Sequence, residues 1–379
     1  MRIRSRRVWI SGAFFPAIVS IDNGRITSVP GYDTEYDEDY GDDRIVPGFI
    51  DVHTHGAYGA MADTSGEEDL ARWTARLPDE GVTAYLPSTT TEPPKQILSA
   101  ISTITGLMDK GCQGAEILGI HLEGPFVNVE RKGAMKVPNI IPPDAQLLRS
   151  FQEAARGRIL YMTMAVEKDE DFEVLRVARE ENVVISIGHS DSTYEQAMIG
   201  LANGASCFTH AFNAMRPLSH RGANTVGAMM RSDAFAEVIF DGRHVDPEVL
   251  NIFFKTKGKD RVVCISDSMG VKGSAPGIYK MDGWEVRVDE HGSAYINGTN
   301  TLSGSSLMFN KGLRMMVEYA CIPIDWALNA VSLNPARLLG LDNRLGRIKA
   351  GYDADLVVLS DSYEIVETYC KGVKSAHAV

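Results

Sequence analysis

The stretch Ile45-Val46-Pro47-Gly48-Phe49-Ile50-Asp51-Val52-His53-Thr54-His55-Gly56 decides how the rest of the chain is read. An apolar run delivers two histidines at i and i+2 and stops at a glycine. Successive side chains of a strand alternate between faces, so i and i+2 point the same way. His53 and His55 can therefore reach one point at the strand's C-terminal end. Two neutral imidazoles converging there suit a divalent transition metal. A pair of hydrogen-bonded strand-end histidines fits the same spacing equally well, and the rest of the chain has to decide between them.

Outward from that run, similar short apolar runs recur at 82–86, 117–122, 160–165, 183–187, 205–209, 236–240 and 261–265. Segments of helical period lie between them, at 67–77, 95–108, 144–155, 172–181 and 194–201. Buried-looking strands alternating with helices imply a parallel sheet, and eight strands is the number that closes a barrel. An open doubly wound sheet competes, but no Gly-rich phosphate fingerprint follows the first strand. The predicted class is α/β, a (β/α)8 barrel of the TIM type over 45–344. A β-rich insertion near 277–298 carries turns at Asp282-Gly283, His291-Gly292 and Asn297-Gly298. Residues 1–44 read as short strands around an Asn23-Gly24 hairpin turn, and 345–379 return to strands. The two chain ends are expected to pair into one small β-sandwich domain.

The chain has 379 residues, with 38 basic against 50 acidic side chains and a net charge of −12. That balance excludes nucleic acid as the main partner, and an anionic substrate would need a local basic pocket. No apolar run approaches the roughly 18 residues of a membrane-spanning helix. The basic start, Met1 to Arg7, lacks the apolar core of a signal peptide. No membrane partner and a cytoplasmic enzyme are expected. The five cysteines are scattered, without a C-x-x-C pair, and read as reduced thiols.

In such barrels the active site lies at the C-terminal ends of the strands. The first run ends in His53-Thr54-His55, the third in His121-Leu122-Glu123-Gly124-Pro125, the fifth in Gly188-His189-Ser190. The sixth ends in Thr209-His210-Ala211-Phe212-Asn213-Ala214-Met215, the seventh in Asp241-Gly242-Arg243-His244, the eighth in Ser266-Asp267-Ser268. Any one could be a satisfied polar cap; six ends together argue for a metal-dependent site.

This constellation resembles the amidohydrolase superfamily, whose barrels carry H-x-H, two later histidines and an aspartate on the last strand. It is more closely similar to the family of N-acetylglucosamine-6-phosphate deacetylases, through the 47–56 run, His121 to Phe126, Gly188 to Ser190, Thr209 to Met215, Asp241 to Asp246 and Ser266-Asp267. The tail Asn334-Pro335-Ala336-Arg337 and the run 346–355 fit the superfamily at large. The resemblance implies metal ligands at Glu123, His189 and His210, with His53, His55 and Asp267 available for a second ion. One or two divalent transition metals per subunit follow, zinc first, with iron, manganese or cobalt as alternatives. Glu123 would stand where related enzymes carry a bridging lysine carbamate; Lys168, the one nearby candidate for a carbamate, reads as a solvated loop residue.

The resemblance also implies Asp267 as the catalytic proton carrier and His244 beside the acetyl carbonyl. Substrate contacts fall on Ala134, Asn213, Ala214, Arg221, His244, Leu302, Ser303 and Gly304. Arg221 and His244 would supply the local positive charge for an amino-sugar phosphate. A basic residue contributed by the neighbouring subunit would make the protein a homodimer. The implied reaction is hydrolysis of the acetamide of N-acetylglucosamine 6-phosphate, in amino-sugar metabolism. The galactosamine epimer is the nearest alternative substrate. A cyclic amide hydrolase is more distant, and a non-catalytic scaffold would lack ligands that are all present here.

Overall fold

Eight parallel strands form a ring: Phe49–Thr54, Val82–Thr89, Ile120–Glu123, Ile159–Met164, Val184–Ile187, Ala205–Phe208, Phe235–Ile239 and Val262–Ile265. Each pairs with the next in chain order. The computed structural model describes residues 1–281 and 283–375; Asp282 of the expected 282–283 turn and residues 376–379 of the expected end domain lie outside the described residues. The helices Glu67–Arg76, Pro94–Lys110, Ala145–Ala154, Glu173–Glu180, Tyr194–Ala202, Asn224–Arg231 and Pro247–Lys257 follow the first seven strands in turn. They cover the outside of the ring, which is why the strands are apolar on both faces.

Local chemistry starts and stops these helices. Asp144 accepts from the backbone N–H groups of Gln146 and Leu147, and Thr193 forms a reciprocal capping box with Gln196. Pro94–Lys110 begins on a proline, buries Ile97, Ile101 and Ile104 along one face, and ends at Gly111. No helix among the described residues is long and apolar enough to cross a membrane. All five cysteines are free thiols.

The run 45–52 is not one strand. Arg44–Pro47 pairs antiparallel with Leu356–Leu359 in a second sheet, and only Phe49–Thr54 belongs to the barrel. The hand-over falls at Gly48, where a Cβ would lie 2.1 Å from Thr83 Oγ1. No side chain fits there, so the glycine lets the chain pass from one sheet to the other against Thr83. The second sheet runs Val373–Lys374, Ile365–Cys370, Leu356–Leu359, Arg44–Pro47, Arg2–Ile10, Ala13–Asp22, Arg25–Ser28, and so joins both ends of the chain. Its hairpin turn at Asn23-Gly24 has positive φ at both residues (48° and 76°), the geometry that matches strand twist.

The ring closes between the first and eighth strands through a side chain. Asp51 Oδ1 accepts from the backbone N–H of Ser266 (3.2 Å) and of His53 (3.3 Å), and Oδ2 accepts from Ser266 Oγ (2.5 Å). Burial pushes this carboxyl up to about 6, against the Ser266 hydrogen bonds that favour its charge. Just above it, Asp267 N–H donates to the His53 carbonyl (2.9 Å) and His55 N–H to the Ser268 carbonyl (2.8 Å). Beyond the eighth strand a three-stranded antiparallel sheet, Gly277–Met281, Trp284–Val288 and Ala294–Ile296, stands over the barrel mouth. Ser305 N–H returns it to the Asp267 carbonyl at 2.7 Å.

Candidate active site

The functional side chains sit at or just past the strand ends. Glu123 is the last residue of the third strand, and His189, His210 and Asp267 come two residues after the fifth, sixth and eighth. All three of these have positive φ (47°, 31° and 48°), a region non-glycine residues seldom occupy. Such backbone strain costs of order 1–3 kcal/mol and persists where surroundings over-determine it, commonly at functional sites. Here the strain turns each side chain inward over the mouth.

Glu123 is the hub. Its Oε1 lies 3.1 Å from Nε2 of both His189 and His210, and 3.5 Å from His53 Nε2; its Oε2 lies 3.4 Å from His55 Nε2. The His189 and His210 Nε2 atoms are 3.1 Å apart, and those of His53 and His55 are 3.2 Å apart. Asp267 Oδ1 is 3.3 Å from His55 Nε2 and 3.7 Å from His53 Nε2. Two sets of converging donors result: His53, His55 and Glu123, and Glu123, His189 and His210. One carboxylate thus faces both pairs of imidazoles; Lys168 is exposed.

The outer nitrogens fix which tautomer is present. His55 Nδ1 donates to the Ser88 carbonyl (3.1 Å), His189 Nδ1 to the Arg131 carbonyl (2.7 Å) and His53 Nδ1 to Glu237 Oε2 (3.0 Å). Those acceptors leave each neutral ring with its Nε2 lone pair pointing inward, as a metal ligand requires. Lone pairs this close repel unless a cation lies among them. The donor set therefore fits a divalent transition metal.

Electrostatics agree. The ion-pair partners of Glu123 and Asp267 among the described residues are all histidines. Burial works against the Glu123 charge, yet His189 and His210 hold its carboxyl well below the usual range. Burial also opposes a charge on His55, but Asp267 and Glu123 overcome it and push the imidazole to about 10. The pocket draws in positive charge, and metal binding would displace those protons. His121 is the exception among the strand-end histidines. Its Nδ1 meets Ser88 Oγ (2.8 Å), its Nε2 meets Thr163 Oγ1 (3.0 Å), and burial holds it well below the usual range. It is the satisfied, neutral histidine that spacing alone could not distinguish from a ligand.

A cavity of about 330 Å³ opens above the cluster. Ala134, Asn213, Ala214, His244, Leu302, Ser303 and Gly304 line it, together with His55, Glu123, His189, His210 and Asp267. His53 lies beneath, fully buried. His244 Nδ1 is held by Asp241 Oδ2 at 2.7 Å. Burial disfavours the imidazolium, but the Asp241 contact raises the His244 pKa above its ordinary value. Arg221 does not join them: it is exposed on the 216–223 loop and is absent from the cavity wall. Two contributors, Lys136 and Glu237, escaped the sequence. Lys136 reaches the cavity wall and pairs with Glu92 at 3.1 Å, and its one signal was its place two residues after Ala134. Glu237 sits mid-strand under His53.

The amidohydrolase family model matches residues 44–374. The N-acetylglucosamine-6-phosphate deacetylase of Bacillus subtilis is 36% identical over 365 residues, covering 93% of this chain and 91% of that protein. Its counterpart in Vibrio furnissii is 31% identical, with 94% and 90% covered. The structure of a Mycobacterium smegmatis N-acetyl-D-glucosamine-6-phosphate deacetylase mutant, in complex with N-acetyl-D-glucosamine 6-phosphate, superposes with a TM-score of 0.93 at 29% identity, covering 99% of each chain. With the family match spanning the barrel and both strands of the hand-over, and with deacetylases among its full-length relatives, the chain belongs to the amidohydrolase family.

Proposed function

We propose that the chain hydrolyses the acetamide of N-acetyl-D-glucosamine 6-phosphate, giving D-glucosamine 6-phosphate and acetate in amino-sugar metabolism. The observation that carries this is Glu123, set between two imidazole pairs at the floor of an open cavity. Glu123, His189 and His210 would hold one divalent metal, zinc first, and His53, His55 and Asp267 stand ready for another. Such an ion supplies Lewis acidity toward the amide carbonyl and activates water at neutral pH.

Asp267 is assigned the proton: its carboxylate accepts one from the attacking water and delivers it to the departing amine nitrogen. His244, oriented by Asp241 and held toward its cationic form, donates from Nε2 to substrate oxygen. Asn213, Ala214, Ala134 and the 302–304 turn would enclose the sugar. Arg221, exposed on its loop, is assigned to the cavity of a second subunit, so the working form is a homodimer. A cytoplasmic location and the division into a 1–44 plus 345–379 β-domain and a 45–344 barrel complete the proposal, with the junction best placed at Gly48.

Acetate release from the 6-phosphates of N-acetylglucosamine and N-acetylgalactosamine, and from unphosphorylated N-acetylglucosamine, tests the assignment. The glucosamine phosphate should be turned over best, and chelation should abolish turnover. Preference for the galactosamine epimer would reassign the substrate, and equal use of the unphosphorylated sugar would remove the phosphate from recognition.

A further inference from the structure

Glu237 stands in the middle of the seventh barrel strand, Phe235–Ile239, with no exposed surface. It is absent from the cavity wall. Its Oε2 accepts from His53 Nδ1 at 3.0 Å and from the His210 backbone N–H at 3.2 Å. Its Oε1 has no hydrogen-bond partner among the described residues. A carboxylate this deep is costly unless positive charge compensates it. Its ion-pair partner among the described residues is His53.

We propose that Glu237 is a positioning residue for the second cation of the metal-centre reading: by holding His53 Nδ1–H it fixes the His53 Nε2 lone pair toward the His55 and Glu123 donors. Among the proposed histidine ligands, His55 and His189 rest their outer nitrogens on backbone carbonyls, whereas His53 rests on the carboxyl oxygen of Glu237. A carboxylate behind a ligating imidazole fixes its tautomer and strengthens it as a donor. A cation on His53 Nε2 in turn supplies, through the ring, the charge that buried Glu237 needs. The same oxygen also holds the main chain at His210, a ligand of the other set, so one atom sets the spacing between the two sites. A hydrogen-bond acceptor with a purely structural role would not need the charge, because glutamine offers the same acceptor.

This inference rests on the metal-centre reading above and is independent of the sugar. The test is titration of the metal-free chain with Co(II), following bound cobalt by dialysis and elemental analysis and its environment by visible absorption. Wild type should take up two Co(II) per chain. Glu237→Gln should bind the first as wild type does and the second about 10–100-fold more weakly, the usual range for losing such a partner. In a His53→Asn background, adding Glu237→Gln should change nothing further. That pattern supports the inference whether or not acetate is released. Wild-type uptake of no cobalt would overturn the metal reading itself. Uptake of one ion, unchanged binding by Glu237→Gln, or a further loss in the His53→Asn background would overturn the role of Glu237. If Glu237→Gln does not fold, Glu237→Asp, which keeps the charge but shortens the reach to His53, is judged by the same criteria.

Discussion

Two regions of the molecule gather acidic side chains within coordinating distance, and they are opposites. At the barrel mouth Glu123 meets His53, His55, His189 and His210; at the junction with the end sheet, Glu116, Asp353 and Asp355 bring oxygens within 4.8 Å of one another. The junction is already neutralised. Arg344 forks onto both oxygens of Glu116 (2.9 and 3.2 Å) and onto Asp353 (2.6 Å), and Lys371 and Arg25 each add a contact at 3.3 Å. Bidentate guanidinium pairing occupies the lone pairs an ion would need. Among the described residues no lysine or arginine pairs with Glu123 or Asp267 at the mouth, which instead face imidazoles with inward lone pairs. What marks a metal site is therefore the missing counter-cation, more than the density of acids.

The largest difference should come from the same substitution made in both places. Glu123→Gln removes the shared ligand, and both metal content and turnover should fall by more than about 100-fold, beyond what an outer partner alone costs. Glu116→Gln should leave both unchanged. Elemental analysis and acetate release on the two variants decide it, and metal retained in Glu123→Gln would erase the contrast. Next in size is Asp267→Asn. It should lower kcat by about 10²–10⁴-fold, the range for a general acid–base group, with at least one metal retained and KM little changed. Near-normal kcat would leave Asp267 without a chemical role.

How far the mouth could be read from sequence follows from where its residues stand. His53, His55, Glu123, His189, His210 and Asp267 each close or follow an apolar run, so topology alone brings them to one rim. Glu237 could not be found that way, because it is a single acid inside Phe235-Ala236-Glu237-Val238-Ile239. A charge in the middle of a buried strand is itself a signal, since such residues are seldom buried unpaired. The 45–52 run hid a change of sheet because hydropathy is the same on both sides of Gly48. Arg221 shows the other limit: motif matching places it near the substrate, but whether a loop folds over its own cavity depends on geometry that no local pattern encodes.

At the junction, Arg344→Met tests whether the guanidinium is what replaces an ion. It would leave Glu116 and nearly buried Asp353 without their main partner. Breaking a fully buried pair costs about 3–5 kcal/mol, and with Arg344 and Glu116 each about a quarter exposed (26%) the loss should be smaller, about 1–3 kcal/mol. The denaturant midpoint should fall, while kcat of the folded enzyme stays at the wild-type value. A fall in kcat comparable to that of Asp267→Asn would mean that the junction is not merely structural.

The finest test concerns Asp355, the one member of the junction cluster left out of the arginine fork. Its Oδ1 accepts from the Lys371 backbone N–H at 2.7 Å, and its Oδ2 has no hydrogen-bond partner among the described residues. Burial pushes its carboxyl up to about 7, with the Lys371 hydrogen bond working the other way. An unfolded chain releases this proton near pH 4. Between about pH 4 and 7 the folded chain therefore holds a proton the unfolded chain has lost, and stability falls as pH rises through that window. The contribution is complete below about pH 4 and gone above about 7, with a ceiling of about 4 kcal/mol. Asp355→Asn keeps the acceptor for Lys371 and removes the titration. Relative to wild type, the variant should gain stability on going from pH 5 to pH 8, and added divalent metal should stabilise neither protein at this site. Denaturant midpoints at the two pH values measure the gain. A difference independent of pH would mean that Asp355 is charged in the folded chain, and the junction would then resemble the mouth in needing a cation.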